Sequence, residues 1–441
     1  MKWNAVTTFA TMRTAVGERL RLAFPMAIHP REAVGEGAEA VAVAPWHAVV
    51  RQATAMWAVT RVAYVLVTYF AVLLVAAGTP VNYSPGAIGF IAMPQALIQS
   101  WNRWDSVHYL DIAAHGYATV EQSAFFPLYP LLIGAVTFVL GSANRLLAAL
   151  LVSNLAALAA FIAVGLLAAG EDLDDAKESG IRAIRVLAAF PLAFFLTAAY
   201  TDGLFLALAA FTLFFARRGA WRWAIVCGFL AGLTRLTGIA LILPLVWEYG
   251  RQHDWHKGGW RIQLRAFGAI GEAALVAAAV PAGVGVYLAY LWQRFGNPLI
   301  LLKAEQVYWS HVNMTPVGAL YLGLAKFQRI PFWSYWQART LVDLAPLLIV
   351  LALAVVVAKR MPFAFTVYLA AVLFLAISAP IPHRPDIFAS AGRYMLAAAP
   401  IVLLLGRWTK GRPWLDLLLV SGGFMVQALL AASFLTGYWI V

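Results

Sequence analysis

Apolar runs alternate with short polar segments along most of this chain, and the pattern predicts a bundle of membrane-spanning helices. A helix needs about 20 predominantly apolar residues to cross a bilayer, and inside lipid it must satisfy its own backbone hydrogen bonds. We therefore predict an all-α polytopic membrane protein with about 11 transmembrane helices. The predicted spans are residues 57–77, 146–169, 184–199, 202–216, 223–236, 238–250, 266–292, 340–358, 362–379, 391–406 and 414–437.

The basic residues between the runs predict how these helices are oriented. Cytoplasmic loops of membrane proteins carry an excess of Lys and Arg. All basic clusters fall on one side if residues 78–145 form one long external loop and residues 293–339 a second. The clusters are Lys177/Arg182/Arg185, Arg217/Arg218/Arg222, Lys257/Arg261/Arg265, Lys359/Arg360 and Arg407/Lys410/Arg412.

Residues 1–56 are predicted to be a cytoplasmic segment that precedes a transmembrane domain of residues 57–441. The segment lacks the compact apolar region and small-residue cleavage site of a secretory signal peptide. Arginines between apolar residues at 8–28 favour an amphipathic stretch lying on anionic lipid. A disordered Ala-rich leader is the alternative.

The apolar stretch 126–141 needs a separate interpretation. Counting it as a span would reverse every later loop and place the basic clusters outside. We therefore predict a short helix in the outer interface. Pro127 and Pro130 at its start and Gly141 at its end fit such a bounded element.

Composition excludes an ordinary soluble domain, because 63% of residues are hydrophobic and only 12% are charged. The net charge of +12 is divided among the loop clusters and is not gathered on one face, so no nucleic-acid partner is expected. The single cysteine, Cys227, lies in an apolar run and is interpreted as a small buried hydrophobe.

Candidate chemistry is densest at residues 101–115, where acids and histidines stand beside apolar sequence. We predict one helix here, with Trp101, Asp105, His108 and His115 near one face. A carboxylate on that face would serve as a general base at the bilayer surface. The alternative is an interfacial amphipathic helix in which Asp105 caps the helix or pairs with Arg103.

A divalent metal held by Asp105, Asp111, His108 and His115 is a minority interpretation. The spacing does not resemble a zinc signature, so neither a metal nor another cofactor is predicted.

Later parts of the chain add isolated charges that need partners in lipid. Asp202 lies between two apolar runs and would either orient a sugar hydroxyl or cap a helix. Arg235 lies within an apolar stretch and should meet an acid, a carbonyl or a phosphate.

Two external loops offer further binding groups. The last one supplies His383, Arg384, Arg393 and Tyr394, which would hold a phosphodiester or anchor the loop to lipid head groups. Loop 293–339 contains Lys303, Glu305, Trp309, His311 and Arg329, which suit either sugar stacking or interfacial anchoring.

Several sequence blocks resemble the PIG-V family, the GPI mannosyltransferase 2 proteins and their prokaryotic relatives. The most specific block is Trp104–Ala113 followed by Gly116-Tyr117 and Ala124–Pro130. Later blocks are Tyr200–Phe205, Gly232–Gly238 and Arg393-Tyr394, and the resemblance covers roughly residues 55–405.

The resemblance implies a GT-C glycosyltransferase fold with juxtamembrane helices in the first external loop and the active site on the non-cytoplasmic face. It also implies inverting transfer of a mannosyl residue from polyprenyl-phosphate-mannose to a lipid-linked or glycan acceptor. In that interpretation Asp105 deprotonates the acceptor hydroxyl, and Arg235, Arg384 or Arg393 stabilises the departing phosphate. The remaining candidates are expected to bind substrate: Trp104, His108, Asp111, Asp202, His383 and Tyr394.

The Ala-, Val- and Leu-rich composition with short loops favours a bacterial or archaeal plasma membrane, with the site facing outward. The competing hypothesis is a lipid or glycolipid flippase or transporter. Such a protein would use the same basic and aromatic loops to hold a head group but would need no general base.

Overall fold

Helices and short 3₁₀ turns build the chain wherever the structure, a computed structural model, describes it: residues 36–74, 93–253 and 267–440. The predicted N-terminal segment falls largely outside these residues, as do residues 78–92 of the first external loop. No β-strand occurs in the described ranges. The helices are α1 Glu36–Leu74, α2 Met93–Gln99, α3 Asp105–His115, α4 Leu128–Leu140, α5 Arg145–Gly170, α6 Ala176–Ala188, α7 Asp202–Arg217, α8 Trp221–Thr234, α9 Ile242–Gln252, α10 Phe267–Phe295, α11 Ile300–Val307, α12 Pro316–Phe327, α13 Tyr335–Arg360, α14 Phe363–Ile377, α15 Ala391–Tyr394, α16 Ala399–Trp408 and α17 Pro413–Leu435.

Five helices among the described residues are long and apolar enough to cross a membrane. They are Trp46–Leu73 within α1, Ser142–Gly170 including α5, Gly271–Phe295 within α10, α13 and α17. Further apolar helices of 10 to 17 residues accompany them. The prediction of an all-α polytopic membrane protein is confirmed, and the number of eleven crossings stays a prediction. Helix α1 runs across position 57, where the transmembrane domain was predicted to begin.

The stretch predicted as a short helix at 126–141 is helical over α4. Its N-cap is Pro127, and it ends at Gly141, whose φ of 88° suits a residue without a Cβ atom. Tyr129 anchors α4 to α5, because its hydroxyl donates to the Ala149 carbonyl at 3.1 Å. The location of α4 in the membrane interface stays a prediction.

Several helices expected to be continuous are interrupted. The predicted helix 101–115 begins only at Asp105, and Trp101 is buried ahead of it against Tyr64 and Phe434. The predicted span 184–199 is helix α6 followed by a 3₁₀ turn at Ala193–Leu196, because Pro191 cannot continue the helical hydrogen bonding.

Two more expected spans are broken in the same way. The span predicted at 238–250 begins with a 3₁₀ turn at Leu236–Leu241, before α9. The one at 391–406 consists of α15, a 3₁₀ turn at Met395–Ala397 and α16, whose first turn contains Pro400. Proline lacks the backbone N–H that a continuous helix would use there.

Three of the basic loops, those that carry Arg182, Arg217 and Lys410, meet at one end of the described helices. Arg217 forms ion pairs with Glu171 at 2.7 Å and with Glu248 at 3.2 Å, and Lys410 pairs with Asp175 at 2.9 Å. Helix α7 connects this end to Asp202, which lies about 22 Å away along a helix axis that rises ~1.5 Å per residue. The loops that carry the candidate chemistry are therefore at the opposite end.

Helices α8 and α10 approach each other closely through glycines. A Cβ atom on Gly283 would lie 2.1 Å from the Phe229 carbonyl oxygen, and one on Gly232 would lie 2.5 Å from the Val280 carbonyl oxygen. Small residues at such a crossing let two backbones pack in direct contact, which stabilises helix pairs in lipid.

We expect Gly283→Ala to destabilise the protein by roughly 1–3 kcal/mol, because the added methyl group must push the two helices apart. Gly285→Ala on the same helix is the matched control, since nothing lies within 4 Å of its Cβ position. The measurement is the midpoint of thermal unfolding in detergent. Equal midpoints for the two variants would contradict the close packing.

Candidate active site

Asp105 is the first residue of α3, and Trp104 before it adopts a φ of 53°. A positive φ is strained for a bulky residue and is often retained at functional sites. The Asp105 Oδ2 atom accepts a 2.8 Å hydrogen bond from Arg393 Nη1. No described residue donates to the second oxygen, Oδ1, and 22% of the side chain is exposed. One oxygen of this carboxylate is therefore held while the other is available to a ligand.

Asp105 belongs to a group of four charged side chains, which we call the ion-pair cluster: Asp105, Asp202, Arg235 and Arg393. Arg235 Nη1 donates to Asp202 Oδ1 at 2.6 Å, and Arg393 Nε lies 3.8 Å from Asp202 Oδ2. Asp202 begins α7, and Arg235 lies in extended backbone where α8 ends. The structure thus places four predicted site residues together, with no net charge when all four are ionised.

Two buried polar atoms at the centre of the cluster, Asp202 Oδ2 and Arg393 Nε, have no hydrogen-bond partner among the described residues. Buried polar atoms are normally paired, so such exceptions point to a bound water or ligand. Both residues line a cavity of about 40 Å³ together with Arg235 and Tyr394. Pockets for small molecules measure roughly 300 Å³ or more, so a sugar requires this cavity to open.

Aromatic rings surround the two guanidinium groups. Arg393 lies 5.1 Å from the ring of Tyr200, and Arg235 lies 5.0 Å from the ring of Tyr394. Cation–π contacts of this kind stabilise charged groups that have left water. Tyr394, predicted to bind substrate, therefore belongs to the wall of the site.

Tyr109 lies close to the same group. Burial raises the pKa of Tyr109, whose hydroxyl lies 3.3 Å from Thr201 Oγ1, so this phenol stays neutral.

His108 lies one helical turn after Asp105 but makes its own contacts. Its ring stacks on Phe125 at a centroid distance of 4.7 Å and meets the edge of Trp309 at 5.5 Å. Its Nε2 atom is 3.9 Å from Glu121 Oε1. His108 thus joins the loop predicted as the first external one to the loop predicted as the second.

Asp111 does not join the ion-pair cluster. Its Oδ1 atom lies 2.8 Å from His115 Nδ1, and its Oδ2 atom accepts a 2.5 Å hydrogen bond from Gln122. These bonds fasten α3 to the 3₁₀ turn at Glu121–Ala124. Trp101 precedes the helix and so does not belong to the face expected for Trp101, Asp105, His108 and His115, while His115 on that helix pairs with Asp111.

A second group of paired charges contains Arg384. Its guanidinium donates two 2.9 Å hydrogen bonds to Asp386 and lies 3.7 Å from the ring of Trp439. Trp439 in turn contacts Trp104 at a ring distance of 5.9 Å. The charge of Arg384 is therefore already neutralised, whereas its neighbour His383 is exposed.

Asp343 helps to position Arg393 and is connected to this second group through Arg339, which lies 3.2 Å from Asp386. The Asp343 carboxylate pairs with Arg339 and accepts a 3.0 Å hydrogen bond from the backbone N–H of Gly392. A Cβ atom on Gly392 would lie 2.5 Å from the Val342 carbonyl oxygen, so only glycine fits this contact. The residue next to Arg393 is thereby held against α13.

Glu305 on α11 reaches the same region, although it was not assigned to the site from sequence. Burial, with the charge of Asp105 acting in the same direction, raises the pKa of Glu305 to about 7. Its Oε2 atom lies 3.7 Å from His311 Nε2. In the sequence, Glu305 is one acid in an aromatic loop, and nothing local to that loop indicates that Glu305 lies near the candidate site.

Among the described residues, no group of three or more His, Cys, Asp or Glu side chains is arranged to hold a metal ion. The metal set considered from sequence, Asp105, Asp111, His108 and His115, is divided between the separate contacts given above.

Comparison with known proteins supports the resemblance seen in the sequence. The family model described as Mannosyltransferase (PIG-V) matches residues 55–246. No curated protein matches the chain. Two crystal structures of an oligosaccharyltransferase from Archaeoglobus fulgidus are similar, one in complex with Zn and sulfate and one in the apo form.

The complex is 12% identical, with a TM-score of 0.38 over 87% of this chain and 53% of that chain. The apo form is 11% identical, with a TM-score of 0.37 over 87% of this chain and 56% of that chain. This chain therefore spans about half the length of the archaeal protein.

We expect Asp202→Asn and Arg235→Gln each to destabilise the protein by about 3–5 kcal/mol, because each leaves a buried partner without its counter-charge. The double variant should lose less than the sum of the single losses. Denaturant unfolding of the four proteins in detergent measures this coupling.

Glu178→Gln is the control for this cycle, since Glu178 pairs with Lys177 where both side chains are half exposed. Its effect should stay below about 1 kcal/mol. Strictly additive losses for Asp202 and Arg235 would contradict the direct pairing.

Proposed function

We propose that this chain, whose residues 55–246 match the family model of the PIG-V mannosyltransferases, is an integral-membrane glycosyltransferase with a GT-C fold. It transfers a mannosyl residue from polyprenyl-phosphate-mannose to a lipid-linked or glycan acceptor. The observation that carries the proposal is the Asp105 carboxylate, which has one free oxygen, is paired with Arg393 and belongs to the same cluster as Arg235. A site of this kind can remove a proton and stabilise a leaving phosphate.

This arrangement supports the following reaction. Asp105 Oδ1 takes the proton of the acceptor hydroxyl, whose oxygen forms a bond to the anomeric carbon of the donor. The bond from that carbon to the phosphate oxygen breaks on the opposite face, so the configuration is inverted. A general base contributes roughly 10²–10⁴-fold to such a rate.

Arg393 can interact with both the general base and the leaving phosphate of this reaction. It is paired with Asp105 before transfer. The arriving proton removes the negative charge of Asp105 while the leaving phosphate gains one, so Arg393 can exchange the carboxylate for the phosphate. Electrostatic stabilisation at the position where charge develops is typically the largest single contribution to catalysis.

Arg235 is the second candidate for the phosphate, because it lines the same cavity. Arg384 is less suited, since two of its three guanidinium nitrogens already donate to Asp386. Trp104 and His108 would shape the acceptor side of the pocket.

The separation of charges along the bundle supports an external site. The basic loops lie at the end of α7 that carries Arg217, and the ion-pair cluster lies at the end that carries Asp202. Cytoplasmic loops favour Lys and Arg, so the cluster would face away from the cytoplasm. The proposed partners are the lipid-linked donor, the acceptor and membrane lipids.

The flippase hypothesis gains no specific support from this geometry. It relied on Arg235 as a charge in the middle of a span, but Arg235 lies where α8 ends and is paired with Asp202. A transporter would also have no use for the free oxygen of Asp105.

We expect Asp105→Asn to lower mannosyl transfer by roughly 10²–10⁴-fold while donor binding persists, because the amide cannot accept the proton. The assay follows labelled mannose from polyprenyl-phosphate-mannose into lipid extract with purified protein. Asp174→Asn is the matched control, since Asp174 is an exposed acid at the basic end. Equal transfer by Asp105→Asn and wild type would remove Asp105 from its role.

The orientation can be tested by labelling single cysteines in a Cys227→Ser background. Trp333→Cys, at a position that is 98% exposed between α12 and α13, should react with a membrane-impermeant maleimide in intact cells. Lys410→Cys, whose parent side chain is 59% exposed at the basic end, should react only after permeabilisation. The reverse pattern would contradict an external site.

A further inference from the structure

The second external loop is fastened to the site end of the bundle by backbone hydrogen bonds. The Val312 N–H donates to the Pro380 carbonyl at 3.0 Å, and the Met314 N–H donates to the Ser378 carbonyl at 2.9 Å. His311 adds a side-chain contact, with Nδ1 lying 2.6 Å from the Ala379 carbonyl oxygen. These bonds fix the residues after α11 to the segment that leads to Arg393.

Trp309 fastens the same loop to the first external loop. Its ring meets His108 at 5.5 Å and Phe125 at 5.6 Å. The indole N–H of Trp309 is buried and has no acceptor among the described residues. Ser310 next to it has a φ of 61°, which is strained for a residue with a Cβ atom. The loop is thus held in place by these contacts, and the Trp309 indole N–H is a hydrogen-bond donor that no described residue uses.

Glu305 lies on α11, which packs against the 3₁₀ turn at Glu121–Ala124. Its Oε2 atom is 3.7 Å from Nε2 of His311, which is fastened to the Ala379 carbonyl. Burial raises the pKa of Glu305, and the charge of Asp105 acts in the same direction. Since 37% of the Glu305 side chain is exposed, a ligand that enters this end of the bundle can contact it.

We propose that Glu305 is a second substrate-binding carboxyl group of the reaction centre, which hydrogen-bonds a hydroxyl group of the acceptor beside the one that Asp105 deprotonates. This inference rests on the proposed function. It assigns the two substrates to two sides of the site. The arginines of the ion-pair cluster take the donor phosphate, and Glu305 with the Trp309 indole takes the acceptor.

The charges on the acceptor side specify the kind of acceptor head group. Asp105, Glu121 and Glu305 all carry carboxyl groups here, and His311 is the neighbouring base. An anionic head group would be repelled by these acids, so the acceptor should present uncharged sugar or polyol hydroxyls. Carboxyl groups bind such hydroxyls through both oxygens.

Glu305 also gives the reaction a pH dependence. Two adjacent carboxylates resist being ionised together, so one tends to keep its proton. The titratable and charged groups that act on or contact Glu305 are Asp105 from α3, Arg235 from the end of α8, Tyr394 from α15 and His311 from its own loop, and α11 also packs against the 3₁₀ turn that carries Glu121.

Since the pKa of Glu305 is raised to about 7, the protonated form predominates below that pH and is lost above it. Loss of that proton removes a hydrogen-bond donor and adds a second negative charge beside Asp105. Transfer should therefore decline as the pH rises through about 7.

The test compares Glu305→Gln, Glu305→Ala and the control Glu178→Gln in the mannosyl-transfer assay across pH. Glu305→Gln resembles the protonated carboxyl group, so it should keep transfer at pH below the raised pKa and lose the decline above it. Glu305→Ala should raise the acceptor KM roughly tenfold with the donor KM unchanged, because one hydrogen bond to substrate is lost. Glu178→Gln should resemble wild type throughout.

A second measurement does not depend on transfer. Carbon NMR of protein labelled at the Glu side-chain carboxyl carbon should show one resonance that titrates near the raised pKa and disappears in Glu305→Gln. Titration of that resonance at an ordinary glutamate pKa would overturn the proposal, as would an unchanged acceptor KM in Glu305→Ala. Absence of transfer in wild type would instead overturn the proposed function, so the two failures are distinguishable.

Discussion

The ion-pair cluster of Asp105, Asp202, Arg235 and Arg393 is the interaction on which the rest of the site depends. Desolvation of each ion costs several kcal/mol in a buried environment, and only good pairing geometry offsets that cost. The four charges come from four separate segments of the chain, at the starts of α3 and α7, the end of α8 and in α15. Their pairing therefore fixes how these segments meet. Asp343 on α13 supports the same contact by accepting a hydrogen bond from the backbone N–H of Gly392 in α15.

The interruptions of the helices occur where this cluster forms. Helix α3 starts late, the segment after α6 contains a 3₁₀ turn, α8 stops at Arg235, and α15 is separated from α16. Irregular backbone at membrane depth is tolerated where it is enclosed by protein or lines a cavity. Trp104, which has a positive φ, directly precedes Asp105, and Ser390, which also has one, is the N-cap of α15, the helix that contains Arg393. Strain of this kind persists only where surrounding contacts over-determine the backbone.

The arrangement also separates the tasks that glycosyl transfer requires. Guanidinium groups on one side suit an anionic leaving group, and carboxyl groups on the other suit hydroxyls. Arg393 touches both sides through Asp105 and Asp202. In the proposed reaction, a proton that arrives on Asp105 would thereby be coupled to charge that develops on the leaving phosphate.

The sequence by itself determined the helices and the residues most in need of partners. Hydropathy and the proline and glycine signals are local properties, so they located α4 between Pro127 and Gly141 and identified Asp202 and Arg235 as charges in apolar surroundings. The tertiary structure alone decided the pairings. Asp105 and Arg393 are 288 residues apart in the chain, and Asp202 and Arg235 are 33 apart. Asp111 turns to Gln122, and α11, which carries Glu305, packs against the 3₁₀ turn that contains Gln122, although the sequence of its loop gives no sign of this contact. The physical reason is that helix formation sums interactions between near neighbours, whereas a buried ion pair depends on where distant segments are packed.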